Sequence, residues 1–237
     1  MRKFVPFSLL VAAPLLAQRD PHAAQPERPT VATHAGTVSP GWLEIESGIE
    51  LDHGADGGHA ALGLVVAKLG VGSRLQLSLY GAAVRPGDNT GGVGDFTAGL
   101  KWRLAEKHAL LGDFAILPSV KVPTGSVARG SGTGTTDGSL LLISSRDAGP
   151  VHIDLNAGYT FRDGSGERAP RQAGVWTASF SGAIAGALQW TAEVFGYPGT
   201  GGAQGAAPIV PVVGAQPHAF YAGVVYNIGR VWGSDRK

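Results

Sequence analysis

The sequence predicts an all-β chain: a closed, antiparallel, up-and-down transmembrane β-barrel of about ten strands, with twelve as the alternative. Three observations lead there. Residues Asp95–Leu104 read DFTAGLKWRL, with Phe96, Ala98, Leu100, Trp102 and Leu104 on one face and Asp95, Thr97, Gly99, Lys101 and Arg103 on the other. A strict period of two is a strand with one apolar and one polar face. Similar segments of about 10–14 residues recur along the chain, long enough for a tilted crossing of about 9–11 residues and longer than the ~5–6 of an average strand. Short turns also alternate with long glycine-rich loops, the pattern of barrels with tight periplasmic turns and long external loops.

The elements follow in order. Arg2 and Lys3, the apolar run Phe4–Leu16 and Ala17 before Gln18-Arg19-Asp20 have the form of a secretory signal over 1–17. Its apolar run of roughly 13 residues is too short for the ~20 of a spanning helix. Residues 18–37 are polar, Pro- and Ala-rich and aperiodic, and read as a disordered mature N-terminus. The barrel is expected over 38–237. Trp42–Asp52 is the first strand, with Leu43, Ile45, Ile49 and Leu51 outward and Glu44, Glu46, Glu50 and Asp52 inward.

Ala60–Leu69 is apolar on both faces and a weaker second strand. Arg74–Val84, Gly92–Leu104 and Ala109–Val122 follow, the last weakened in its middle by Pro118. Asp137–Ser145, Val151–Phe161, Gly174–Ala187, Gln189–Gly196 and His218–Ile228 complete ten. In lipid every backbone N–H and C=O needs an internal partner, so such a sheet must close on itself.

Composition narrows the function. Lys plus Arg number 19 and Asp plus Glu 18, a net charge of +1, which gives no nucleic-acid footprint. With no Cys, disulfides and thiolate metal sites are out. The sequence holds no G-x-S-x-G elbow and no Walker A loop; Gly130–Gly134 lacks the following Lys. The seven His are scattered, and Asp52-His53 has no distinctive acidic partners, so no catalytic, metal or cofactor site is expected and the chain reads as a non-enzyme.

Inward charges are the candidate functional residues: Glu44, Glu46 and Glu50 on the first strand, Asp95, Lys101 and Arg103 on the fourth, Lys121 on the fifth, then Asp154 and Glu193. Either they pair and fill a narrow lumen, or they set a transverse field along a water path. In the loop 197–217, Ala206–Val213 is apolar and reads as an entry surface near the barrel mouth.

GVGDFTAGLKWRL at Gly92–Leu104, Pro118–Gly125 with its Val-Lys-Val-Pro-Thr-Gly end, Asn156-Ala157-Gly158-Tyr159, Ser39-Pro40-Gly41 and Glu193 together resemble the outer-membrane family of the MetA pathway of phenol degradation. The likeness covers about Pro40 to Ile228. It implies a bacterial outer-membrane barrel, facing lipid outside and passing small hydrophobic or aromatic molecules. The other function expected is a structural or adhesion barrel with a plugged lumen, acting through its external loops. Outer-membrane strands commonly finish on a C-terminal aromatic. This sequence finishes VWGSDRK, hence the alternative count of twelve.

Overall fold

A computed structural model describes residues 27, 30–54, 57–85, 92–162, 172–185, 188–196 and 218–226. The signal segment, residues 18–26, the loop with Ala206–Val213 and the side chain of Glu50 lie outside the described residues. The elements are β1 (Leu43–Gly54), β2 (Gly57–Gly72), β3 (Leu75–Arg85), β4 (Gly92–Val93), β5 (Phe96–His108), β6 (Gly112–Val122), β7 (Asp137–Ala148), β8 (Val151–Arg162), β9 (Gln172–Ala185), β10 (Leu188–Gly196) and β11 (His218–Tyr226). They form one antiparallel sheet in the order β1-β2-β3-β5-β6-β7-β8-β9-β10-β11, with β4 paired to β3. Each long strand lies beside its sequence neighbour, as expected of an up-and-down meander. Among the described residues no ladder joins β11 to β1.

The predicted fourth strand is split. Gly94 and Asp95 leave the ladder between β4 and β5 because the Asp95 carboxylate binds the β6–β7 connection. Elsewhere the alternation predicts the faces well. Phe96, Leu100, Trp102 and Leu104 are exposed, whereas Thr97 and Lys101 are buried. The same inversion runs through β6–β9, with Val120, Leu140, Leu155, Phe161 and Trp176 outside and Ser119, Asn156, Thr160 and Thr177 inside.

The sheet curls around its own N-terminal segment. The Glu27 backbone N–H donates to Glu46 of β1 at 3.0 Å, and the Val31 N–H donates to Glu193 of β10 at 2.8 Å. Four residues of chain reach at most about 14 Å. In a flat sheet β1 and β10 stand eight strand spacings apart, about 38 Å. Only a curled sheet brings both within reach of one short stretch.

This stretch corrects the expectation of disorder up to residue 37. Ala32, Thr33, Ala35, Thr37 and Val38 are buried, and Ala35, with Val31 beside it, joins an inward apolar cluster of Ala115, Leu117, Leu141, Ile143, Val175 and Phe195. The segment is called the strap below. Its lack of periodicity reflects its partners, which are strand side chains rather than a neighbouring backbone.

The strap leaves the interior past Gly70. Pro40 forms a bridge with Gly70, and the Gly41 N–H donates to the Gly70 carbonyl at 2.7 Å. A Cβ on Gly70 would lie 2.2 Å from the Ser39 carbonyl oxygen and 2.4 Å from that of Val38. Backbone cannot yield as a side-chain tip can. Gly70→Ala should therefore lower the urea unfolding midpoint of the folded protein by the equivalent of about 1–3 kcal/mol. Gly138→Ala, whose Cβ meets nothing within 4 Å, should leave the midpoint unchanged. Equal midpoints for the two variants would refute the close crossing.

Candidate functional site

Two polar constellations sit inside the curl, and most of the predicted inward residues belong to one or the other. The first is the strap seat. Lys101 Nζ is fully buried. It donates to Glu27, to Thr33 Oγ1 at 3.0 Å, to the His34 carbonyl at 2.9 Å and to the Gly36 carbonyl at 3.4 Å. Lys68, also fully buried, lies 2.6 Å from Glu44 and 2.5 Å from Glu46. Glu46 in turn accepts the Glu27 N–H.

On the far wall, Glu193 accepts the N–H groups of Val31 at 2.8 Å and Ala32 at 2.6 Å. Asn156 pairs with Thr33 through both its atoms: Oδ1 accepts the Thr33 N–H at 2.8 Å, and Nδ2 donates to the Thr33 carbonyl at 2.9 Å. Ser145 Oγ accepts the Ala35 N–H at 2.7 Å and donates to Asp154 at 2.5 Å. Gln76 Oε1 accepts the Val38 N–H at 2.9 Å. Side chains of separate strands thus satisfy the strap's buried backbone donors, as burial requires.

Electrostatics within the strap follow from Lys101. Burial would raise the Glu27 carboxyl, but the Lys101 and Lys68 ammoniums outweigh it and hold that group far below the usual carboxylate range. Burial, and then the Lys101 ammonium, push the His34 imidazole down to about 4, against the opposing pull of Glu27.

The second constellation is a clip at the long-loop end. Asp95 Oδ1 accepts the Gly125 N–H at 3.0 Å, and Oδ2 accepts the Thr133 N–H at 2.9 Å and its hydroxyl at 2.8 Å. The Thr124 hydroxyl donates to the Gly94 carbonyl at 3.0 Å. Lys121 bridges Asp95 at 3.0 Å and Asp137 at 3.3 Å, and Arg162 completes the chain on Asp137 at 3.0 Å. The β6–β7 connection is thereby folded inward.

Burial raises the Asp95 carboxyl, but the bonds from Thr133, Lys121 and Gly125 outweigh it and keep the group below its ordinary value of 3.8. A lowered carboxylate stabilises above its unfolded value and loses that contribution as pH falls through the lowered one. The clip should hold at neutral pH and release only in strong acid. Asp95→Asn removes the charge and turns one acceptor into a donor facing Thr133, at a cost of about 1–3 kcal/mol. Trypsin should then cut after the exposed Arg129 several-fold faster at pH 8; an unchanged cleavage rate would refute the clip.

The predicted site residues therefore separate. Glu44, Glu46, Lys101, Asp154 and Glu193 gather at the strap seat, and Asp95 and Lys121 form the clip. Arg103 belongs to neither: it donates to the Ser73 carbonyl at 2.9 Å and sits 3.3 Å from Glu106, by the short turns. The first-strand acids Glu44 and Glu46 pair with Lys68 on the adjacent strand. Sequence reasoning missed Lys68, Gln76, Ser145, Asp137, Arg162 and Glu27. Of these, Lys68 carried a readable signal, a lone cation on the inward parity of β2 opposite Glu44.

The motifs behind the resemblance each hold a connection in place. Gly94-Asp95 touches Thr124-Gly125, Asn156 and Glu193 hold the strap, and Ser39-Pro40-Gly41 marks its exit. Fold and site define an all-β, antiparallel meander curled around a buried N-terminal strap. A family model described as "Putative MetA-pathway of phenol degradation" matches residues 31–232, a span that takes in the strap from Val31 onward. The chain belongs to that family. No curated protein matches it.

Proposed function

We propose that the sheet closes into a bacterial outer-membrane barrel, exported by its N-terminal signal, which passes small molecules through a lumen that the strap shuts at rest. One observation carries this reading: the polarity is inside out. Arg162, Lys68, Lys101, Gln76 and Glu193 are among the largest fully buried side chains, while Trp102, Phe96, Leu140, Phe161 and Trp176 are exposed. In water that arrangement is unfavourable on both faces. Facing hydrocarbon, the outer residues are at home, and the inner ones line a polar interior. Membership of a phenol-degradation family supports a small aromatic or hydrophobic solute. The protein acts as a conduit, with no chemical step of its own.

The strap favours a second reading, a structural or adhesion barrel whose filled lumen never opens. Liposome swelling separates the two. Purified protein should appear in the outer-membrane fraction, migrate faster unheated than boiled on a gel and, with residues 27–37 deleted, admit neutral solutes of a few hundred daltons or less into liposomes. Folded protein that stays soluble without detergent would overturn the barrel. A heat-modifiable protein that admits nothing would favour the structural reading.

A further inference from the structure

Lys101 owes every hydrogen bond it makes among the described residues to the strap: Glu27, Thr33 and the carbonyls of His34 and Gly36. Among the described residues no strand side chain hydrogen-bonds to it. When the strap leaves, this ammonium stays behind inside the curl without those bonds, with Asp154 as a more distant countercharge. A buried charge stripped of its partner is strongly unfavourable, so the seat without its strap demands an anion at that position.

An apolar wall begins beside that charge. Gly99 pairs with Ser119 and Trp102 with Ile116, so Lys101 and Leu117 are neighbours across β5 and β6. Leu117 pairs with Leu141, Leu141 with Gly158, and Gly158 with Val175. Gly158 keeps the wall continuous, since a Cβ there would lie 2.7 Å from Leu141 Cδ1 and 2.9 Å from Val175 Cγ1. In the seated state the strap meets both features in kind. Glu27 brings a carboxylate to Lys101, and Val31 and Ala35 bring methyl groups to the wall.

We propose that the strap seat is a binding site for small organic monocarboxylates with an apolar body, and that the strap occupies it as an internal mimic of such a ligand. The ligand's carboxylate takes the place of Glu27 on Lys101, and its apolar body takes the place of Val31 and Ala35 on Leu117, Leu141 and Val175. Across the lumen stand two acids. Glu193 has only strap N–H groups as hydrogen-bond partners among the described residues, and Asp154 is bound to Ser145 and lies 3.3 Å from His152. A ligand with a second carboxylate would face Glu193 and be repelled, so the site selects monoanions over dianions. The proposal rests on the reading of the interior as a solute path and names the solute's class.

The test is isothermal titration of the full-length protein, folded in detergent micelles at pH 7, with benzoate, benzyl alcohol and succinate as probes. Glu27→Gln weakens the mimic and leaves Lys101 in place. Benzoate should then bind about tenfold or more tighter than to the unaltered protein, the low end for a lost charge-assisted hydrogen bond. Benzyl alcohol and succinate should show no such gain. Adding Lys101→Met should abolish the gain for benzoate.

No benzoate gain in Glu27→Gln, an equal gain for benzyl alcohol or succinate, or a gain that survives Lys101→Met would each overturn the proposal. If Lys101→Met fails to fold, as its gel migration reports, the comparison of the three probes on Glu27→Gln decides alone. The readout is binding, not passage, so a failure here is distinct from a failure to admit solutes in the swelling assay.

Discussion

Deleting residues 27–37 should raise the time-averaged ion conductance of the reconstituted protein by about tenfold or more. The strap runs through the middle of the curl and ties distant strands together, from Lys101 on β5 to Glu193 on β10. Its backbone donors are spread over Glu193, Asn156, Ser145 and Gln76, so no single broken bond frees it. A net preference of only about 1.4 kcal/mol for the seated state would already keep the open fraction near one tenth.

Deletion bares Lys101, the Leu117–Leu141–Val175 wall and Glu193. Water and ions solvate the two charged groups far better than they solvate the wall, so the vacated path should wet along its charged side. Planar-bilayer recording on the full-length and deleted proteins reads the difference directly. To guard against a deletion that merely unfolds, Asn156→Leu keeps the strap but removes its two-point hold on Thr33, and should give an intermediate rise. Unchanged conductance in both variants, with heat-modifiable migration intact, would show that something other than the strap closes the lumen. The structural reading would then stand.

Most of the fold was legible because a half-buried strand declares itself locally. In β5 and β8 the bulky residues recur every second position, and the faces assigned to Phe96, Trp102, Lys101 and Asn156 need nothing beyond the period. β2 was harder. Ala, Val and Leu occupy both its faces, so the lone cation Lys68 is the one mark of its inward parity, which its pairing with Glu44 and Ser78 settles.

The strap was not legible at all. It forms no ladder in the interior, and its partners lie far along the chain, as with Val31 and Glu193 or Thr33 and Asn156. Its composition resembles that of a tail because backbone N–H groups, present in any sequence, do most of the binding. Asp95 stands between these cases. Its inward direction followed from alternation, but its task did not, because Gly125 and Thr133 arrive from a loop that carries no period.

Acidification should open the same path, and His34 should set the pH at which it does. The imidazole lies 4.0 Å from Glu27, while its backbone carbonyl accepts from Lys101. Burial and the Lys101 ammonium, with Lys68 adding to them, bring its value from 6.5 to about 4; Glu27 and Asp154 pull the other way without prevailing. The sign follows from which state holds the proton more tightly. A released strap carries an ordinary His that takes its proton near pH 6.5. The seated strap resists that proton down to about pH 4.

Protonation therefore favours release, and the bias grows as pH falls from about 6.5, levelling off below about 4. Each pH unit in that window multiplies the released-to-seated ratio by up to about ten. Over the window the conductance should climb toward that of the strap-deleted protein, about tenfold or more, where His34 dominates. Other buried carboxylates also take protons in acid, so the informative quantity is the part of the rise that disappears in His34→Gln. That variant keeps a polar side chain of similar reach and cannot titrate. A flat conductance between pH 7 and pH 4, or a rise identical in His34→Gln, would show that the imidazole does not sense the seat. A rise lost with His34 would mean that the charge next to Lys101, rather than general acid unfolding, unseats the strap.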